Sequence, residues 1–447
     1  MTLDDRRVGL EQEFFLVDED GFLSNRADEF LALCREAAKA SGQDPKGFAP
    51  ECAKSLVEIN MPPVYSLAEL SREYMTSVEL ALYAGRELGL RLYPLATYPL
   101  RVKPVMRDEL HYQLQARSLG QERFAHAGRC AGVHLHLEVA AGTVDPQLGV
   151  SYDAPRAARE ELLNLYNLAT ALDAALIALT RSCPFYEGIA YRMAARTALY
   201  RGDPNLAPHG LYAWHQWVGG LLPYASSTEE LVEQQFTRYH AWIEAMDRAG
   251  VERRHFLEMG GGLLSASSWN PVRLNPLGTV ELRGIDSNYP ETVLAISALI
   301  SSAAERVRRE RLAVLPHEDL RVFEVAGETL LVPPFGYLNG ELFHAAMTSG
   351  IESPEVVSYL DSIVRFSSEG EESTREKPRL EALKTAGHYR TTETEIRQGF
   401  TSPVSWISEE RGLELVREAC SELEKQVTSF RPESKDTRVA RAGANGD

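Results

Sequence analysis

Four short segments of this chain alternate apolar and ionisable residues with a period of two, and this restricts the fold more than any other feature. In "GVHLHLEV", Val133, Leu135, Leu137 and Val139 form one side, with His134, His136 and Glu138 on the other. "VGLEQEFFLVD" places Glu11 and Glu13 on one side and Gln12 opposite. "SLVEINM" sets Val57, Ile59 and Met61 against Glu58 and Asn60, and "GTVELRGID" sets Val280 and Leu282 against Thr279, Glu281 and Arg283. Successive side chains of a strand point to opposite faces, so each segment predicts a strand with one face for a core and one for chemistry. Fully buried parallel strands read instead as continuous apolar runs. The pattern therefore predicts an α+β protein whose antiparallel sheet has helices on one side and pools its polar sides on a concave surface.

A merely solvated face would feature lysine, threonine and mixed charges, whereas these four polar sides carry glutamate, histidine and arginine and no lysine. Carboxylates gathered in a partly buried pocket raise each other's pKa unless a cation neutralises them. Oxygen-rich sets with an occasional imidazole suit Mg²⁺ or Mn²⁺ better than zinc. The pattern points to a divalent-cation site.

Between the strands, helical periodicity predicts helices over residues 27–41, 66–89 (beginning at Ser66), 107–127, 155–181, 228–249 and from Pro290 to about Arg311. "LRLYPLATYP" reads as a further strand. Residues 366–380 are charged and poor in apolar side chains, which predicts a mobile loop, and 431–447 read as a disordered tail. The expected organisation is a catalytic domain over 1–310, a mainly helical extension of the same globule over 311–430, and the tail.

The net charge of -17 over 447 residues argues against nucleic-acid or anionic-membrane partners, which need basic patches. No apolar run approaches membrane-spanning length. The start, "MTLDDRRVGL", lacks the apolar core of a signal peptide, and five scattered cysteines without CxxC spacing read as reduced thiols. A cytoplasmic protein is expected. No GxxxxGK[ST], no GxGxxG after a strand and no GxSxG occurs, and Gly260, Gly261 and Gly262 read as a tight turn. Phosphoryl transfer and metal-dependent hydrolysis both stay open at this point.

Taken in order, "GLEQEF", "ECAKSLVE", "GVHLHLEV" and "GTVELRGID" resemble the glutamate–cysteine ligase family, in its bacterial type 2 (carboxylate–amine ligase) branch, over roughly residues 7–300. The resemblance implies a glutamine-synthetase-like catalytic fold, a curved antiparallel sheet forming a funnel with helices on its outer face. It implies ATP and Mg²⁺ (or Mn²⁺) as cofactors, glutamate and an amine such as cysteine as substrates, and a γ-glutamyl phosphate between them. By family likeness Glu11, Glu13, Glu51, Glu58, His134 and Glu281 are metal ligands, Glu281 and Arg283 are catalytic, and Arg273, Arg196 and Arg283 meet nucleotide or substrate. Arg192 rivals Arg196. Met61 stands where the family has threonine, Glu138 where it has glycine, and the family's arginine- and tryptophan-rich C-terminal segment is absent after residue 320, so the amine stays unidentified. The rival readings are a metal-dependent amidohydrolase and a non-catalytic descendant that binds nucleotide or amino acid. A homo-oligomer is compatible with all three.

Overall fold

Antiparallel pairing around one long strand organises the protein. The computed structural model describes residues 6–369, 379–401 and 404–430. Strand β1 (Val8–Asp18) pairs with β3 (Leu56–Val64) and β5 (Gly132–Glu138). With β2 (Phe48–Pro50), β4 (Leu90–Tyr93), β6 (Val272–Asn275) and β7 (Thr279–Asp286) these form a seven-stranded sheet of order β2-β3-β1-β5-β7-β6, β4 pairing with the far end of β1. Every pairing in it is antiparallel. Register shifts at Val8/Leu10 and Val133/Leu135 mark irregularities of the kind that bend a sheet.

Helices α1 (Ala27–Ser41), α2 (Leu67–Leu88), α4 (Arg156–Thr180) and α6 (Pro290–Glu310) cover the apolar face. Ser66 caps α2 by accepting from the Glu69 amide, and Pro290 opens α6 at the position where proline's missing N–H costs nothing. The helix expected over 107–127 is broken into α3 (Leu110–Leu119), a single turn at Gln121–Phe124 and a 3-10 turn at Ala127–Arg129. Gly120, at φ 97°, leaves the helical region and forces the break. The strand expected at "LRLYPLATYP" stops at Tyr93, ahead of Pro94. Helix α4 does reach bilayer-spanning length and apolarity, with a mean hydropathy of 1.5, but 89% of that window is buried inside the protein. It is the central core helix.

After α5 (Thr228–Arg248) and α6, a small sheet of β8 (Ala313–Pro316), β9 (Glu324–Ala326) and β10 (Thr329–Val332) precedes α7 (Pro354–Ser368) and α8 (Glu409–Ser429). Val314, Leu330, Tyr359 and Ile363 join the core that α4 centres, and Val416, Ala419 and Cys420 of α8 cover Phe15, Val17 and Tyr93. Residues 370–378 of the loop expected at 366–380, and the tail at 431–447, lie outside the described residues.

Gln12, the polar residue on the apolar side of β1, is completely buried. Its amide donates to Ser287 Oγ (2.9 Å) and the Asn288 carbonyl (2.8 Å), and its Oε1 accepts from Tyr74 Oη of α2 (2.5 Å). One amide thus ties β1, α2 and the end of β7 together. Tyr74→Phe should strand Gln12 Oε1 without a donor and lower unfolding stability by about 1–3 kcal/mol in urea titration, whereas an unchanged midpoint would show that this tie contributes nothing.

Candidate active site

The polar face of the sheet carries a ladder whose rungs are set by strand register. Glu11 stands opposite His134, Glu13 opposite Glu58, and Glu281 is flanked by His136 on one side and Arg273 on the other. His134 is the centre, with Nδ1 2.9 Å from Glu11 Oε2 and 3.9 Å from Glu58 Oε2, and Nε2 3.5 Å from Glu13 Oε1. His136 Nε2 lies 3.2 Å from Glu11 Oε1 but lacks hydrogen-bond geometry and is otherwise unpartnered, while its Nδ1 contacts Thr279 Oγ1 at 2.9 Å. Glu51 comes from the turn between β2 and β3 and joins Glu13 and Glu58. Three sets result, in each of which the ligand atoms lie within 4.8 Å of one another: Glu11–His136–Glu281, Glu11–Glu58–His134 and Glu13–Glu51–Glu58. Adjacent sets share Glu11 and Glu58, so the ladder is one continuous run of donors.

Its two ends are compensated differently. Glu281, fully buried, accepts from Arg273 Nε (2.6 Å), Asn275 Nδ2 (2.6 Å) and Arg283 Nη1. Burial opposes its ionisation, but Arg273 and Arg283 outweigh burial and hold it well below the usual carboxylate range. At Glu11 burial is likewise outweighed, by the hydrogen bond with His134 and the closeness of the His136 imidazole, and its pKa is lowered. At the other end, burial and the neighbouring carboxylates raise Glu51 well above the ordinary value and push Glu58 up to about 7. Glu13 is also raised by burial, although Arg196 and the Gly132 amide, which donates to its Oε2 at 2.6 Å, oppose this. Burial and Arg283 keep His134 on the neutral side, the form a metal requires. An oxygen-rich donor set, a neutral imidazole, an unpartnered buried His136 nitrogen and carboxylates without enough counter-charge fit a bound divalent cation.

All the residues expected at the site gather here except Arg192. Arg196 packs over Gly132, where a Cβ would come within 2.2 Å of its Nη2, and donates to the Arg283 carbonyl at 3.1 Å. Arg192 is exposed and lines a separate hollow with Arg181 and Arg397. Glu138 turns to Arg7, bonded through Nε at 3.0 Å, and is no part of the ladder. His136, Asn275 and Thr279 are additions. Sequence spacing already put His136 on the face of His134, whereas Asn275 emerges only once β6 is paired with β7.

The family profile described as Glutamate-cysteine ligase family 2 (GCS2) matches residues 7–324. A Mycolicibacterium smegmatis protein named "Putative glutamate--cysteine ligase 2-2" is 26% identical over 350 residues, covering 78% of this chain and 71% of the relative. A Streptomyces avermitilis protein named "Putative glutamate--cysteine ligase 2-1" is 26% identical over 362 residues, covering 79% and 84%. The fold is similar to that of the Francisella tularensis glutamate–cysteine ligase in complex with AMP, with a TM-score of 0.56 at 10% identity over 96% of this chain and 90% of that one. It is also similar to a bifunctional glutathione synthetase from Pasteurella multocida, with a TM-score of 0.51 and 14% identity over 95% of this chain, which spans 53% of that protein. With the family profile matching well over half its length, the chain belongs to glutamate–cysteine ligase family 2.

Proposed function

We propose that this chain is an ATP- and Mg²⁺-dependent carboxylate–amine ligase that activates the γ-carboxylate of glutamate as an acyl phosphate and passes it to an amine, with cysteine the default partner. The observation that carries the reading is the acidic ladder ending in the Glu281–Arg283 pair. Glu11, Glu13, Glu51, Glu58, His134 and Glu281 would hold the metal, and His136 Nε2 is placed to join them. When bound, Mg²⁺ screens and aligns phosphate oxygens. Arg283 and Arg273 flank Glu281 and would stabilise charge on the transferring phosphoryl group. Arg196 would meet the glutamate carboxylate not undergoing reaction.

In the first step a γ-carboxylate oxygen of glutamate attacks the γ-phosphorus of ATP and ADP leaves. The carboxylate, inert at neutral pH, becomes an acyl phosphate. In the second the amine attacks the acyl carbon, inorganic phosphate departs and the amine gives up a proton. The half-buried floor of the ladder and its fixed cations supply positioning and electrostatics, the two largest sources of rate in such transfers.

Phosphate release by the purified protein with Mg²⁺, ATP and glutamate across a panel of amines tests this directly. Release requiring glutamate and one amine is expected, whereas amide hydrolysis without ATP would favour the hydrolase and ATP binding without any turnover a sensor. Glu11→Gln should lower product formation at saturating ATP by roughly 10²–10³-fold without unfolding the protein, and full activity would sink the assignment.

The elevated carboxylates also predict a pH signature. A carboxyl whose folded pKa is raised binds protons more tightly than in the unfolded chain, so the metal-free protein loses stability as pH rises from the ordinary carboxylate value through about 7, the value for Glu58. A cation favours the ionised form and reverses that loss. Mg²⁺ or Mn²⁺ should therefore raise the melting temperature more at pH 8 than at pH 6, and Glu58→Gln should flatten the difference. Equal shifts at both pH values would count against a cation at this end of the ladder.

A further inference from the structure

Every ladder carboxylate but one takes its place from strand register. Glu11 and Glu13 stand on β1, Glu58 on β3 and Glu281 on β7, each fixed by pairing with neighbouring strands. Glu51 follows the end of β2 at Pro50 and precedes β3, which begins at Leu56, so no strand of the sheet holds it. Its Oε2 accepts from the amide of the next residue, Cys52, at 3.1 Å. That local bond moves with the turn and cannot fix where the turn sits.

A second segment does so. Ala53 pairs antiparallel with Met106, the Lys54 amide donates to the Val105 carbonyl at 2.8 Å, and the Arg107 amide donates to the Cys52 carbonyl at 2.8 Å. Arg107 then reaches back with its side chain, and its Nε donates to the main-chain carbonyl of Glu51 itself at 2.8 Å. Buried Gly128 closes over this pairing, since a Cβ there would come within 2.8 Å of Pro104 Cβ and Met106 Sδ and 3.1 Å of Ala53 Cβ.

The contacts of Arg107 show which one matters. Its side chain is only 9% exposed, and Nη2 is buried without a partner, an arrangement that costs free energy. Nη1 donates to Asp28 at 2.6 Å, but that carboxylate is 69% exposed, and a pair with so open a partner contributes little. The bond to Glu51 is the one directed at the ladder. It goes to the carbonyl and not the carboxylate, so it holds the Glu51 backbone and leaves the carboxylate oxygens to the cluster with Glu13 and Glu58.

We infer that Arg107 is the positioning residue for Glu51, and that through this carbonyl it sets how tightly the Glu13–Glu51–Glu58 end of the ladder holds a divalent cation. The inference rests on the reading of the ladder as a cation site. Arg107 supplies no ligand atom; it fixes the backbone from which the ligand hangs.

Mn²⁺ binding to the metal-free full chain, followed by the electron paramagnetic resonance signal of free Mn²⁺, tests this without requiring turnover. The relevant site is the one that Glu51→Gln weakens. Arg107→Met keeps the apolar stem, removes every donor and should raise the Mn²⁺ Kd there by about 10- to 100-fold, the usual effect of losing a partner one step removed from a metal. Arg107→Gln places an amide nitrogen where Nε stands and should keep most of the wild-type affinity, although it lacks the charge. Arg107→Lys keeps the charge but puts a methylene there. It should show the loss that Arg107→Met shows, and it replaces that variant if Arg107→Met fails to fold. On a Glu51→Gln background, Arg107→Met or Arg107→Lys should weaken binding no further, because both changes act through one side chain. Wild-type affinity in Arg107→Met and Arg107→Lys, an equal loss in Arg107→Gln, or a full additional loss in the double variant overturns the inference and leaves the cation site standing. Wild-type protein that binds no Mn²⁺, or whose binding Glu51→Gln leaves unchanged, overturns the cation reading at this end and this inference with it.

Discussion

Crowding carboxylates onto one face of a sheet is the constraint to which the rest of this structure answers. Glu13 and Glu58 stand directly opposite each other on neighbouring strands, an arrangement that repulsion disfavours in a free sheet. It persists because the opposite face is driven into a continuous apolar core by α1, α2, α4 and α6. A one-residue slip of any of these strands would turn its carboxylates into that core and its valines and leucines into the cleft. Register is thus specified twice, by the hydrophobic face and by the charges that face cannot accept. Gln12, the polar group that β1 sends into the core, is satisfied by three partners, as a buried amide must be.

What could be read in advance followed from period. Glu11 and Glu13, His134 and His136, and Glu281 and Arg283 each sit two apart, and side-chain alternation alone puts each pair on one face. Ser66 and Pro290 likewise announce their helices by local chemistry. Family resemblance then supplied Glu51, which lies in a turn where no periodicity operates, and Arg196, whose role depends on its approach to a glycine far away in sequence. Spacing could not separate Arg196 from Arg192, since both follow a segment without regular structure, and only the packing of Arg196 on Gly132 distinguishes them.

Other features were illegible for physical reasons. The helix expected over 107–127 overran Gly120 because its apolar periodicity continues through the break, while the backbone does not. The sheet of β8, β9 and β10 escaped notice because its strands are short, and the exposed stretch of β9 has no apolar face to betray it. Helix α4 is long and apolar enough to cross a bilayer, yet β7, α6 and α7 cover it, and its own sequence does not reveal that covering.

The ladder's asymmetry says more about its chemistry than its donor count does. At the Glu281 end, two arginines already neutralise the carboxylate, so an incoming cation there competes with Arg273 and Arg283 for the same oxygens. At the Glu13–Glu51–Glu58 end, three carboxylates converge with Arg196 as the nearby guanidinium that chiefly opposes protonation of Glu13, and protons substitute for the missing positive charge. A divalent cation therefore has most to gain where compensation is weakest. A cation bound there would take over from Arg196 in opposing protonation of Glu13. The two guanidiniums paired with Glu281 each present a planar fork of donors, a shape that matches carboxylate and phosphate oxygens alike. The same asymmetry gives the cleft a direction, from an arginine-compensated end at Glu281 to an under-compensated end at Glu13, Glu51 and Glu58.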